Sequence, residues 1–511
     1  MKTVFASALS MVAGVAIASS AIAETAHVHN NIQELIAVAQ ENPTDADIRV
    51  RIGAQLLEAG HEGEARVWFN EASKLNPELG DFTDAGVDYD MPVIRGASGP
   101  DVWVCTLPGI TNYGVSDGYA AYAVATTSAN AGDTLLNWNP EPANTHPVIG
   151  QNLYQWHEGL FRQVGQSWLK HGFCALQNGG CGQCQPAGGG CPPRLGPGCA
   201  DPYSSGLNGT QSRLGPKHEV NPTTGVFPGS HSRPSGSLSN RGRLLVPIDD
   251  AVPTADGATY WVEGQYIHVE DSQLTGNTSA NNATHASTTM SSNSSRQLTF
   301  PNTTRQMEPA IMSWQRVDPS VVIETIEADG YIYVGGSATD IGGGEYLYQY
   351  NIFNLDSNAG VDTLTVNAGG AMNVSSSGYH TPGWHSGSLY DNGPWTSPSR
   401  GGSMEFTVQN KGVNDNRVRW ATMYSFTFVA DSEPTDGTVT INVPGIGTYD
   451  VGMPVPAGSA CAGDYDGSGT VDSADLAILL AGWGTPGADL DGDGNTDSSD
   501  LAVLLAAWGP C

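Results

Sequence analysis

Apolar positions in the second half of the chain fall on every other residue. Tyr346, Tyr348, Tyr350 and Ile352 share one face, as do Met404, Phe406 and Val408; Trp420, Thr422, Tyr424, Phe426 and Phe428; and Val439, Ile441 and Val443. A side-chain period of two belongs to a strand with one buried face. Gly, Asn, Asp and Pro separate the runs, so residues 318–458 read as a β-sandwich. Residues 98–317, richer in Gly and Cys, read as another β-sandwich-like domain; near its end, 272–304 is so dense in Ser, Thr and Asn that a long exposed loop is expected. The period changes to 3.6 at the two ends. Leu476, Leu479, Leu480 and Trp483 stand at i, i+3, i+4 and i+7, and so do Leu501, Leu504, Leu505 and Trp508. Each set is one apolar stripe of a short helix, expected to pack against the other. Helical spacing also marks residues 24–80, which an acidic linker over 81–97 joins to the centre. The expected class is therefore mainly β: two β-sandwich-like central domains, a short α-helical N-terminal segment and a small α module over 461–511.

The first 23 residues carry Lys2, an apolar run from Val4 to about Ala18, and Ala21-Ile22-Ala23 before Glu24, the pattern of a cleaved secretory signal. No later stretch approaches the ~20 apolar residues of a membrane helix, so no membrane span is expected. Among 511 residues, 52 acids against 21 bases give a net charge of −31, which excludes nucleic acid and anionic membranes as natural ligands and favours a cation. Eight cysteines in an exported chain point to disulfides. Cys461 and Cys511 bracket the C-terminal module and are expected to pair. Cys105, Cys174, Cys181, Cys184, Cys191 and Cys199 leave 15 connectivities open, and Cys181-Gly-Gln-Cys184 also admits a zinc or iron–sulfur knuckle.

The last fifty residues repeat one pattern. Asp464, Asp466, Ser468, Asp472 and Asp475, then Asp489, Asp491, Asp493, Asp497 and Asp500, place oxygen side chains at positions 1, 3, 5, 9 and 12 of a twelve-residue loop, with Gly469 and Gly494 at position 6. That is calcium-loop spacing, with the carbonyls of Thr470 and Asn495 as the position-7 ligands, so two calcium ions are expected. The duplicated loop-plus-helix unit resembles the dockerin type I repeat pair, an EF-hand-like docking module of secreted bacterial proteins. Pro454, Pro456, Gly458 and Gly463 deny the first loop a preceding helix, and position 12 is Asp. The resemblance implies a cohesin-like partner met through positions 10 and 11, here Ser473, Ala474, Ser498 and Ser499; Ala474 departs from the usual hydroxyl pair. A calcium-stapled cap without a partner is the other use of such a unit.

Near the N-terminus, Ile52-Gly53, Leu56, Gly60, Ala65, Phe69, Ala72 and Pro77 resemble a tetratricopeptide (TPR) repeat, with Arg49 where Trp is usual. One and a half repeats make no extended groove, so a helical cap is expected rather than a peptide-binding array. The centre resembles a family of uncharacterised secreted bacterial β-sandwich proteins, through His146-Pro-Val-Ile-Gly-Gln-Asn, Gln166-Ser-Trp-Leu-Lys-His171-Gly-Phe, Asp201-Pro-Tyr with Leu214-Gly-Pro, His385-Ser-Gly-x-x-Tyr390-Asp and Arg419-Trp-Ala-x-x-Tyr424-x-Phe. That resemblance implies export and β architecture but no reaction.

No catalytic constellation stands out, and whether the chain is an enzyme stays open. Gly114-Val-Ser116-Asp-Gly118 fits a nucleophile elbow, but the alternating 119–126 that follows reads as a strand after a turn. His146, His157, His171, His218, His231, His268 and His285 can supply zinc or copper ligands, though none has i, i+2 or i+4 spacing with another. Glu158, Glu219, Glu263 and Glu270 are candidate acids for glycoside cleavage, with no spacing that selects a pair. Trp384, Tyr390 and Trp395 sit in a Gly- and Pro-rich stretch from which rings can stack on sugars. The expected function is a secreted, calcium-binding attachment protein, anchored to a cohesin-like partner or a cell surface, with a polysaccharide as ligand of the centre. The alternative is a secreted polysaccharide-active hydrolase anchored by the same module.

Overall fold

The computed structural model describes residues 99–510 except 141–142, 173, 273–278, 300–303, 369–371, 401–402, 458–462, 467 and 492, together with residues 46, 48, 49, 51, 52 and 72. The signal sequence over 1–23, most of the tetratricopeptide-like stretch and the Cys461–Cys511 pair lie outside them. Two compact units, Met1–Met91 and Pro92–Cys511, divide the chain. Of the first, the six described residues are helical, and Ala46, Ile48, Arg49, Ile52 and Ala72 are buried.

The second unit is mainly β with sandwich-like antiparallel sheets, the expected class. Strands sort into two assemblies on either side of the short helix Met312–Val317. The earlier one is built on a large sheet running through Ile110–Ser116, Tyr119–Val124, Leu244–Pro247, Leu160–Gln166, Val148–His157, Thr259–Ile267 and Ala283–Met290. A three-stranded sheet of Val102–Thr106, Thr126–Asn130 and Ala200–Tyr203 accompanies it, and Val102, Val104, Tyr122, Leu153, Tyr260 and Tyr266 belong to one apolar core. Residues 272–304 depart from the expected exposed loop. Ala283–Met290 is a mostly buried strand paired with Thr259–Ile267, and its polar side chains bond inward: Thr284 Oγ1 donates to the Val104 carbonyl at 2.6 Å. Composition suggested solvent because Thr and Asn look polar, but here the Thr284 and Thr288 hydroxyls and the Asn281 and Asn282 Nδ2 groups bond within the fold.

The later assembly stacks a five-stranded sheet of Val322–Glu327, Tyr331–Gly342, Glu345–Asn354, Thr422–Ala430 and Val374–His380 on a six-stranded one that includes Thr363–Asn367, Ser403–Val408, Pro434–Val443 and Gly447–Pro456. The alternating residues meet between them: Tyr348, Tyr350, Ile352, Tyr424, Phe426 and Phe428 from one sheet, Met404, Phe406, Val408, Val439, Ile441 and Val443 from the other. Trp420 leaves that row. The chain turns at Ala421 (φ 52°), and Trp420 joins Val148, Leu169 and Phe227 of the earlier assembly.

The other face of these strands is buried as well. The Phe161 carbonyl accepts from Gln349 Nε2 at 2.7 Å, Asn351 Nδ2 at 3.0 Å and Ser425 Oγ at 3.1 Å, while Gln166 Nε2 reaches the carbonyls of Pro382 and Gly383. Polar residues that alternate with the core, and that a sandwich ordinarily turns to water, here join one β assembly to the other.

Three disulfides, Cys105–Cys181, Cys174–Cys191 and Cys184–Cys199, tie a strand-poor stretch to the three-stranded sheet. They consume all six central thiols, which removes the zinc or iron–sulfur knuckle. They also require an oxidising compartment to form and persist.

Candidate functional site

The C-terminal module holds two short helices, Ser473–Ala481 and Ser498–Ala506. Each begins with a reciprocal capping box made of calcium-loop residues. Asp472 accepts from Ala474 N at 2.7 Å and Asp475 accepts from Asp472 N at 2.9 Å; in the second unit Asp497 accepts from Ser499 N at 2.8 Å and Asp500 from Asp497 N at 2.7 Å. A carboxylate is at home there, facing unpaired N–H groups at the positive end of a helix dipole. Asp475 and Asp500 are fully buried, and their second oxygens take N–H groups of the loop start: Tyr465 and Asp466 in one, Leu490 and Asp491 in the other. Burial raises the pKa of Asp475, but those N–H donors outweigh it and hold the group below the usual carboxylate range.

Gly469 (φ 78°) and Gly494 (φ 92°) make the position-6 turn in the left-handed region, where a Cβ is strained. The turn lets Asp464 accept from Ser468 N and Gly469 N, and Asp489 from Gly494 N, so the first carboxylate is held inside its own loop. Carboxylate oxygens of Asp464, Asp466 and Asp475 lie within 4.8 Å of one another, as do those of Asp489, Asp491 and Asp493. With Ca–O bonds of about 2.3–2.6 Å, oxygens on opposite sides of one calcium ion stand about that far apart. The donor set is all oxygen and the spacing suits a large, hard cation. Of the remaining expected ligands, Ser468 Oγ donates to the Thr470 carbonyl at 3.1 Å and Asn495 N to Asp493 at 2.9 Å, which keeps both inside their loops.

Each loop is clamped by the other unit. Val471, eighth in the first loop, pairs with Gly509 just past the second helix. Thr496, eighth in the second, receives a bond from Gly484 N at 2.8 Å and gives one to Thr485 O at 2.7 Å, just past the first helix. The helices do not pack stripe to stripe as expected. Leu479 and Leu504 are buried with Val471 and Ala488, whereas Leu480, Trp483, Leu505 and Trp508 remain about half exposed. Nine-residue helices end before either Trp, so the Leu479 and Leu504 positions meet the shared core and the Trp positions do not. Ser473, Ala474, Ser498 and Ser499 are exposed on those first turns.

In the β body the seven histidines separate. His146, His171 and His231 come together: His146 Nε2 lies 3.3 Å from His171 Nδ1, the His171 and His231 rings stack at 3.9 Å, and Phe227 packs edge-on against His146 and His171. Burial pushes His146 down to about 4 and His171 to about 2. His157 ends a strand elsewhere, His218 sits beside Tyr390, His268 Nε2 faces the carbonyls of Asn137 and Thr145, and His285 lies between Ser313 and the Glu308 carbonyl. Sequence spacing could not find the trio, because the strand register that pairs Val148 with His171 is what carries His146 there.

The four glutamates weighed for glycoside cleavage are engaged singly. Glu158 (φ 51°) is in a two-residue hairpin turn between paired His157 and Leu160; Glu219 accepts from Ser232; Glu270 accepts from Asn137. Glu263 is fully buried, bonded by Asn152 Nδ2, Tyr154 OH and Ala310 N, and burial raises its pKa. Ser116 precedes another two-residue turn, with Asp117 at φ 54° and Gly118 at φ 80°, so the elbow-like motif is a β-hairpin. The aromatic stretch is not a sugar platform. Trp384 and Trp395 are 8 % and 4 % exposed; Trp395 packs on Phe426 at 4.8 Å and donates to the Asn416 carbonyl at 2.7 Å.

No family model matches the chain, and no curated protein does. Among solved structures one similar chain is described as "Biofilm associated protein - BSP domain", at 10 % identity and a TM-score of 0.13, over 79 % of this chain. The chain spans 65 % of that structure's length, and at such a TM-score the likeness carries no argument about fold or function.

Proposed function

We propose that the protein is a secreted calcium-binding attachment protein, in which the C-terminal module, folded around two calcium ions, anchors a disulfide-tied β body to a partner or surface outside the cell. The observation that supports this reading most is the twofold convergence of three carboxylates within 4.8 Å. The module's nine Asp have no Lys or Arg near them in sequence, so they repel one another until a cation arrives. The ligands are Asp464, Asp466, Ser468, Asp472, Asp475 and the Thr470 carbonyl in one loop, and Asp489, Asp491, Asp493, Asp497, Asp500 and the Asn495 carbonyl in the other. Export fits the three disulfides. The partner is a cohesin-type protein met by the exposed helix starts at Ser473, Ala474, Ser498 and Ser499. A polysaccharide ligand for the body loses its main support with the burial of Trp384 and Trp395.

Calorimetric titration of the full chain tests the metal, with two calcium ions per chain expected and one or none refuting a loop. Retention of the purified chain on the envelope of the exporting cell tests the anchor. It should require calcium and be released by chelation, and retention equal with and without calcium would refute attachment through the module.

A further inference from the structure

We propose that His146 and His171 are ligands of a transition-metal site within the β body, suited to zinc, with His231 as a third ligand at its outer side. The two fixed nitrogens are identified by what occupies the others. His146 Nδ1 is 3.0 Å from the Asn139 carbonyl, so it carries the proton and leaves the lone pair on Nε2. A carbonyl behind the far nitrogen is the usual support of a metal-bound histidine, because it fixes both tautomer and ring orientation. His171 Nε2 faces Gly215, where a Cβ would stand 2.6 Å from it and 3.1 Å from His231 Cβ, so only glycine leaves room beside the ring. The other ring nitrogen of His171, Nδ1, faces His146 Nε2 at 3.3 Å.

That separation suits a metal pair, and is long for a hydrogen bond. An N–H···N hydrogen bond is best near 2.9–3.0 Å, by analogy with N–H···O. Two nitrogens bound to one tetrahedral zinc at about 2.0–2.1 Å stand about 3.3 Å apart. Strand pairing fixes the spacing: His171 ends Leu169–His171, Val148 is its partner, and His146 precedes Val148 by two residues. Phe227, edge-on to both rings at 5.1 and 5.3 Å, supplies an apolar wall that keeps competing water away. His231 is stacked flat on His171 at 3.9 Å. As it stands its ring lies flat on His171 rather than pointing in, so as a third ligand it would have to turn about its side-chain bonds. Three imidazoles select zinc or copper over calcium, so this site is independent of the acidic loops.

The experiment uses the full chain, stripped of metal and then given excess calcium to saturate the acidic loops. Zinc is titrated in, with cobalt(II) as the spectroscopic probe. One zinc per chain is expected, with a tetrahedral cobalt absorption and a nitrogen-dominated shell at about 2.0 Å by X-ray absorption. H146Q and H171Q should each weaken zinc by roughly 100-fold or more and H231Q by roughly tenfold, while H157Q changes nothing. Absence of zinc binding, an oxygen-only shell, or wild-type zinc affinity in H146Q or H171Q overturns the site; wild-type affinity in H231Q removes the third ligand. The X-ray absorption result decides the matter even where a variant fails to fold.

Discussion

The calcium module and the β body reach an ordered state by opposite routes. Among the described residues of the module, four hydrophobic ones, Val471, Leu479, Ala488 and Leu504, are buried together. The later β assembly alone encloses a core containing Val334, Tyr348, Tyr350, Phe406, Phe426, Phe428 and Ile441. A segment of about fifty residues with so little buried surface lacks the hydrophobic gain to offset its chain entropy. What it has instead is converging carboxylates, which are a liability without a cation and a scaffold with one. The body needs no such help: its aromatic core, its bonded polar faces and its disulfides all constrain it. On the proposed reading, order in the module is conditional on a bound cation, and order in the body is built in.

The most severe way to break the comparison is to remove the metal. Chelation should unfold residues 463–510 and leave the body intact, because the binding energy of the ions is the module's folding energy. Hydrogen exchange on the full chain reads both regions at once. Protection of the two module helices unchanged by chelator would show that their small core suffices.

The complementary perturbation is made in the body. Trp395→Ala deletes a ring packed on Phe426 and leaves the Asn416 carbonyl without its indole donor. A loss of about 3–5 kcal/mol is expected by denaturant titration, with calcium stoichiometry unchanged. A loss below about 1 kcal/mol, accompanied by weakened polysaccharide retention, would return Trp395 to a binding role.

The same contrast decides what was legible in the sequence. Turn glycines, helix starts and the converging carboxylates were readable, because the loop pattern is local: it depends on residues within twelve positions of one another. In the β body the period-two rows identified the inner faces, since Tyr348, Tyr350 and Phe426 need only the pleat to be placed. Their opposite faces were not legible. Gln349, Asn351 and Ser425 look solvent-bound until a strand 188 to 264 residues earlier presents the Phe161 carbonyl to them. Distance in sequence hid the His146–His171 pair, the disulfide connectivity and the strand Ala283–Met290 for the same reason. Polar residues turn inward wherever the fold supplies partners, and no window of sequence contains those partners.

Buried ionisable groups give the body a pH dependence with readable sign. His385 is fully buried, accepted by the Gln166 carbonyl, and burial lowers its pKa to about 4. Its unfolded form takes a proton near 6.5, so below that pH the unfolded state gains protons first and stability falls until about pH 4. The share due to this group is roughly 3 kcal/mol. Asp201 runs the other way: burial raises it to about 7, the folded state takes the proton first, and acidification from 7 toward 4 adds stability. Stability measured by denaturant titration across pH 4–7 should therefore fall less steeply in His385→Asn than in wild type, and more steeply in Asp201→Asn. Parallel curves for all three would mean that these groups meet water in the folded protein.

The smallest effect expected tests whether the module is one unit or two. Val471 of the first loop is held by Gly509 behind the second helix, and Thr496 of the second loop by Gly484 and Thr485 behind the first. Each helix in turn starts from its own loop through the Asp472 or Asp497 cap. Loop, helix, opposite loop and opposite helix thus form a closed circuit. On the proposed calcium reading, an ion in the first loop would order the first helix, whose end would then steady the second loop. Disabling one loop should weaken the other without touching its ligands. Asp464→Ala is expected to abolish binding in the first loop and to lower calcium affinity in the second by about 5- to 30-fold, a coupling of about 1–2 kcal/mol. Asp489→Ala should do the reverse, since coupling free energy is reciprocal. Calorimetry on the two variants measures the remaining site in each case. Equal affinities in variant and wild type would show that the clasps transmit nothing, and the module would then be two independent calcium loops that happen to share a core.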